Sequence, residues 1–150
     1  MSFLDFAQRL KKVVEVLNAT REEESIVIAQ ETVALIRLRV QNDKVDAEGS
    51  SFGSYSLGYE IFRTLNNQPI DAKNYTFTGQ MWRDTGITDV QDTGGTTTVT
   101  IGGQTDRAAS LMEYNTTRDG VEILEASEEE EEFIREAHEE RIINIIDNLF

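Results

Sequence analysis

The stretch Ile87-Thr88-Asp89-Val90-Gln91-Asp92-Thr93-Gly94-Gly95-Thr96-Thr97-Thr98-Val99-Thr100-Ile101 decides the fold class. Its two ends are β-branched runs, which suit a pleated, half-buried surface better than a helix. Asp92-Thr93-Gly94-Gly95 joins them, and the two glycines supply the positive φ of a tight hairpin. Val99 and Ile101 fall on one face and Thr98 and Thr100 on the other, so one side of the sheet is expected to be buried. Gly102-Gly103 closes the second strand. Tyr75, Phe77 and Met81 alternate ahead of Trp82, which extends the sheet region to 75–103.

Helical periodicity surrounds this hairpin on both sides. Phe3, Phe6, Ala7, Leu10, Val13, Val14 and Leu17 recur at three- and four-residue steps and predict an N-terminal helix over 3–18. Asn18-Ala19-Thr20 interrupts the pattern. Glu22-Glu23-Glu24 suits the positive end of a second helix over 22–41, with Ile26, Ala29, Val33, Ile36 and Val40 along one side. Ile28, Thr32, Leu35 and Leu38 widen that face, which marks this helix as central. Residues 46–74 read as an extended loop region, rich in Gly, Ser and Tyr at its start and holding the chain's only proline, Pro69. Beyond the sheet, 104–126 reads as a short helix from Asp106 to Tyr114 and a connection, with Ala108, Leu111 and Met112 inward. Ser127 and Glu130 form a capping box for a final helix over 127–150, with Ile134, Ile142, Ile145, Ile146 and Leu149 on one face. The whole is a single α+β domain: a small antiparallel sheet packed against long helices, with an extended Gly/Ser/Tyr loop.

Composition narrows the function. The 150 residues are 39% hydrophobic and 28% charged, enough for a core and against wholesale disorder. The apolar runs are too short to span a bilayer, and charges within Met1 to Val14 argue against a signal peptide. The absence of cysteine removes disulfides and thiolate chemistry, and one histidine removes a multi-His metal centre within one subunit. A cytosolic or particle-borne protein without a redox role or cofactor is expected. Twenty-eight Asp and Glu against 14 Lys and Arg give a formal charge of −14. Such a surface repels polyanions within a Debye length, so gripping nucleic acid is disfavoured while tolerating it nearby is not.

No catalytic constellation stands out. His138 lies at the margin of the last helix's apolar face and reads as a packing or surface residue. Asp89 to Gly95 lacks the ligand pattern of a calcium loop, and Gly49, Gly53 and Gly58 lack the Gly-Lys-Ser/Thr of a phosphate loop. Two clusters read instead as contact elements. Phe52, Tyr55 and Tyr59 pin a Gly-rich segment that a mere linker would leave polar, and are expected to reach a neighbouring subunit. Trp82 beside Arg83 reads either as a core tryptophan or as an interface anchor, where both residue types are enriched. Met81 and Trp82 are expected beside Ile36 and Val40.

Taken in order, the pieces resemble the phage virion-morphogenesis or tail-completion family. The resemblance rests on Ile36-Arg37-Leu38-Arg39-Val40, the loop Asp46-Ala47-Glu48-Gly49…Phe52-Gly53-Ser54-Tyr55-Ser56…Tyr59, Phe77-Thr78-Gly79-Gln80-Met81-Trp82, the hairpin, Ala108 to Tyr114, and Gly120 to Ser127 before the acidic-start helix. It covers Glu22 to Phe150. In many relatives the aromatic loop is richer in Lys, Arg and Pro; here only Arg63 and Lys73 lie nearby. The resemblance implies a non-enzymatic structural protein of the virion, assembled in the bacterial host cytoplasm, that forms a hexameric or dodecameric ring in the neck or tail. It implies portal, neck or tail proteins as partners, and genomic DNA that passes through without specific binding. A non-viral acidic adaptor presenting the Phe52–Tyr59 loop is the alternative reading.

Overall fold

In a computed structural model describing residues 3–76 and 78–150, Phe3–Leu38 form one uninterrupted helix, α1, of 36 residues. The expected break at Asn18-Ala19-Thr20 is absent. None of the three is Gly or Pro, and Asn and Thr cost a helix only about 0.7 kcal/mol each relative to Ala. The Thr20 hydroxyl donates back to the Val16 carbonyl at 3.1 Å, and Arg21 Nη1 donates to Asn18 Oδ1 at 2.9 Å. Glu22-Glu23-Glu24 therefore lies in mid-helix. A π-helical turn, Arg39–Asp43, continues α1 until Lys44 enters the left-handed region at φ 59°.

The nominal loop region carries a helix of its own. Leu57–Leu65 form α2, whose only glycine is Gly58 and whose Leu57, Ile61 and Leu65 recur at helical steps. Before it, Asp46 Oδ1 accepts from the backbone N–H groups of Glu48 and Ser50 at 3.1 and 2.7 Å, which folds the Gly49 turn. Nor does a strand start at Tyr75: Tyr75 and Gly79 have φ 52° and 74°, and Gln80–Arg83 make a single helical turn, α3. Phe77, read as part of that strand, lies outside the described residues.

The hairpin is as expected but longer. Strands β1 (Thr85–Thr93) and β2 (Thr96–Gly103) pair antiparallel, with Thr93 opposite Thr96 across Gly94-Gly95. Those glycines have φ 61° and 91°, the positive pair of a two-residue turn. A bulge at Thr88 lets Ile87 face Ile101 and Val90 face Val99 although they are three residues apart. Thr97, Val99 and Ile101 are half-buried, while Thr96, Thr98 and Thr100 between them are exposed. The sheet packs on α1, where Arg21 Nη2 grips both carboxylate oxygens of Asp92 at 2.8 and 2.9 Å.

Helix α4 spans Asp106–Asp119, capped by the Thr105 hydroxyl and ended by Gly120 at φ 68°. Ala108 and Met112 are buried and Leu111 half-buried, as expected, but the helix runs five residues past Tyr114. Helix α5, Glu128–Leu149, begins with the expected Ser127–Glu130 capping box. It runs antiparallel to α1: Arg39 pairs with Glu130 at 2.9 Å near one end, Glu24 with Arg141 midway, and Arg9 Nη1 donates to the Phe150 carbonyl at 2.9 Å at the other. Its inward face differs from expectation. Phe133, Ile134, Ala137, Arg141, Ile145 and Leu149 are half-buried, whereas Ile142 and Ile146 are exposed.

The core gathers where α1 ends. Ile36, Val40, Phe52, Met81, Trp82, Met112 and Ile123 form one buried cluster, with Tyr75, Leu111, Val121 and Leu124 against it. This places Met81 and Trp82 beside Ile36 and Val40, in an α+β fold.

Candidate interaction surface

The five expected contact residues divide by burial. Trp82 is 1% exposed, and Phe52 and Tyr55 are buried too. Phe52 packs edge-on against Tyr75 with centroids 4.9 Å apart. The Tyr55 hydroxyl accepts from the Asn74 backbone N–H and donates to Asn74 Oδ1, both at 3.2 Å. These three rings lie inside their own subunit; for Phe52 the cause is the turn at Gly49, which sets Ser51 opposite Val45 and the Phe52 N–H on the Lys44 carbonyl and so brings the loop back onto the end of α1. Tyr59 and Arg83 remain accessible. The Trp82 indole Nε1 is buried without a hydrogen-bond partner.

Helix α2 carries the surface that the sequence reading missed. Its apolar residues point outward: Leu57, Ile61 and Leu65 are 74%, 56% and 77% exposed. Its inward residue is a cation, Arg63, 1% exposed. The guanidinium donates from Nε to the Pro69 carbonyl and from Nη1 to the Thr76 carbonyl, each at 2.8 Å. It also stacks on Tyr55 at 4.3 Å from the ring centroid. Two carbonyls and an aromatic face thus hold the helix from its polar side. With Ile70, the outer stripe forms a shallow apolar groove. The signal was present in the i, i+4 spacing of Leu57, Ile61 and Leu65, but spacing does not say which face turns inward.

A second apolar surface sits at the far end of α1. Phe3, Leu4, Phe6, Leu10 and Val14 are exposed, as are Ile142, Ile143 and Ile146 on α5 and Phe150 just past its end. Phe6 meets Phe150 edge-on at 5.8 Å. Two paired helices cover only one stripe of each other, so the remaining apolar sides face outward.

Between α2 and α4 lies a cleft of about 430 Å³, lined by Tyr55, Tyr59, Arg63, Tyr75, Leu111, Tyr114, Asn115 and Arg118 among others. Nearby, Asp119 receives Lys73 Nζ, the Tyr75 hydroxyl and Arg118 Nη2, each at 2.8 Å. Burial alone would raise the Asp119 carboxyl; the bonds from Arg118, Lys73 and Tyr75 outweigh it and hold the group well below the usual carboxylate range. Burial and the bond to Asp119 push the Tyr75 phenol upward. Glu24 is opposed by burial but also ends low, through Arg141 and Thr20. These groups are held in single charge states, the opposite of an acid poised to transfer a proton. His138 is exposed. Among the described residues no three His, Asp or Glu side chains converge on a metal position, and no helix is long and apolar enough to cross a membrane.

Compared with family models, curated proteins and solved structures, the chain matches none.

Proposed function

We propose that this chain is a structural subunit of a bacteriophage virion, forming a closed ring in the neck or tail through which DNA passes. The observation that carries the assembly reading is surface. The chain exposes 9608 Å², whereas a monomer of 17.0 kDa has about 7,700 Å². The excess, roughly 1,900 Å², matches two faces of about 800 Å² each, the usual contribution of one partner to a stable interface.

The apolar faces are arranged for such a pair. One is at the Phe3–Val14 end of α1 and the other on α2, tied to the opposite end of α1 through Thr76, whose hydroxyl accepts from Gln41 and whose carbonyl accepts from Arg63. Thirty residues of helix separate Leu10 from Val40, or about 45 Å at 1.5 Å per residue. Two different faces at opposite ends favour head-to-tail contact, which closes into a ring when the rotation permits. The virion assignment draws further support from the motif order described above. The strong negative charge suits a conduit that must not hold the duplex.

Native mass spectrometry tests the reading. A cyclic oligomer of six or twelve copies is expected, alone or with a neck partner. Replacing Leu57, Ile61 and Leu65 together with Ser should abolish it and leave the circular dichroism unchanged, since these side chains add little to the folded chain. A wild type that stays monomeric throughout, or a triple variant that assembles normally, would refute the reading.

A further inference from the structure

The cleft between α2 and α4 has a chemistry unlike the rest of this acidic chain. Among the described residues no Asp or Glu lines it, while two arginines and several tyrosines do. Arg63 is buried without a carboxylate partner, and its Nη2 makes no hydrogen bond. A buried cation left so is costly unless a counter-charge completes it. The neighbouring cluster adds to the imbalance, because Lys73 and Arg118 together face the single carboxylate of Asp119. The local charge is thus positive on a chain whose formal charge is −14.

We infer that this cleft binds a carboxylate group, held by Arg118 at its exposed rim and by Arg63 Nη2 at its floor. Tyr59 stands over the floor, half exposed and 5.9 Å from ring centroid to the guanidinium carbon. Nη2 is shut off from solvent in the free chain, so on this inference the Tyr59 ring turns aside as the carboxylate enters. Tyr59 and Tyr114 line the same cleft and offer hydroxyls as neutral donors, while the bonds from the two guanidinium groups to a carboxylate are charge-assisted and therefore the stronger ones. Two sources fit this chemistry: a free small dicarboxylate, or a glutamate of another copy, since Glu128, Glu129, Glu131 and Glu132 are exposed in the first turns of α5. The site stands apart from the ring reading, because a free carboxylate would fill it in a monomer.

The test titrates the full chain with glutarate and, separately, with the heptapeptide Ser-Glu-Glu-Glu-Glu-Glu-Phe, which copies residues 127–133. Calorimetry in about 0.15 M salt is the readout. Saturable binding below about 10 mM is expected, weakened at least about tenfold in Arg118→Gln and in Arg63→Lys. Thermal melts establish that each variant is folded, and Arg118, being at the rim, keeps the test intact if Arg63→Lys unfolds. Binding of glutarate alone assigns the site to a free carboxylate; binding of the peptide, with or without glutarate, assigns it to α5 of a second copy. If neither probe saturates, or if the folded variants bind as tightly as wild type, the inference is overturned.

Discussion

Replacing Trp82 with Ala probes the junction on which the whole fold converges. The indole is 1% exposed within the cluster of Ile36, Val40, Met81 and Met112. Burying about 200 Å² of aromatic surface at about 25 cal/mol per Å² contributes about 5 kcal/mol. The Nε1 proton has no acceptor, and a buried unsatisfied donor takes back about 1–3 kcal/mol. A loss of about 2–4 kcal/mol follows for Trp82→Ala, overlapping the range of aromatic truncations in packed cores. That is a large part of the 5–15 kcal/mol typical of a domain. Urea unfolding followed by circular dichroism, at one fixed protein concentration, measures it. Trp82 is the only tryptophan, so fluorescence of the wild type independently reports whether the indole is dry. Trp82→Phe should cost less, about 1–2 kcal/mol, because it removes the orphan donor and keeps a ring. A loss under about 1 kcal/mol for Trp82→Ala, or the red-shifted emission of a wet indole in the wild type, would refute the packing described.

Asp119→Asn should destabilise the protein by about 3 kcal/mol at neutral pH, because two cations lose their buried partner. The Asp119 carboxyl is held low in the folded chain, so its contribution is full above the unfolded value of about 3.9 and drains as pH falls below it; the gap between variant and wild type in urea titrations should close there. Gly103→Ala should cost more than about 2 kcal/mol, since a Cβ would stand 2.3 Å from the Ala109 backbone nitrogen. Gly58→Ala, in α2 with nothing within 4 Å of the new carbon, should instead stabilise by about 0.4–1 kcal/mol, and thermal melts of the two variants check both signs. Duplex DNA should show no binding in a filter or anisotropy assay at about 0.15 M salt; a dissociation constant tighter than about 10 µM would contradict the conduit reading.

What was legible in the sequence was whatever a short window determines. Gly94-Gly95 between β-branched runs fixed the hairpin, and Ser127 with Glu130 fixed the start of α5. Met81 and Trp82 reached Ile36 and Val40 because large apolar residues near helix ends have few other places to go. The misses have physical causes. Asn18-Ala19-Thr20 looked like a break, but α5 packs along α1 and tertiary contact overrides a small propensity cost. The bulge at Thr88 is invisible to a strict two-residue period. Asp119 meets Lys73 and Tyr75 across more than forty residues, a pairing no local pattern carries. Phe52 and Tyr55 looked like contact residues because nothing in a Gly-rich segment says where its aromatics dock.

Helix α2 explains why this chain can keep so much apolar surface uncovered and still hold one shape. A surface helix normally stays in place because its apolar face is buried. Here that role passes to Arg63, whose carbonyl bonds and contact with Tyr55 tie α2 to the segment from Pro69 to Thr76. Directional bonds fix α2 at a defined angle without using Leu57, Ile61 or Leu65. The same division holds at the other end of the molecule, where Arg9 bonds the Leu149 and Phe150 carbonyls and leaves Phe3, Leu4 and Leu10 outward. Both exposed faces are therefore positioned by arginine before any partner arrives. A surface already held in its bound geometry loses less entropy on association, so it favours a uniform repeat over an adaptable contact. That property suits the closed ring proposed above, where a small angular error at each interface would accumulate around the circle and prevent closure.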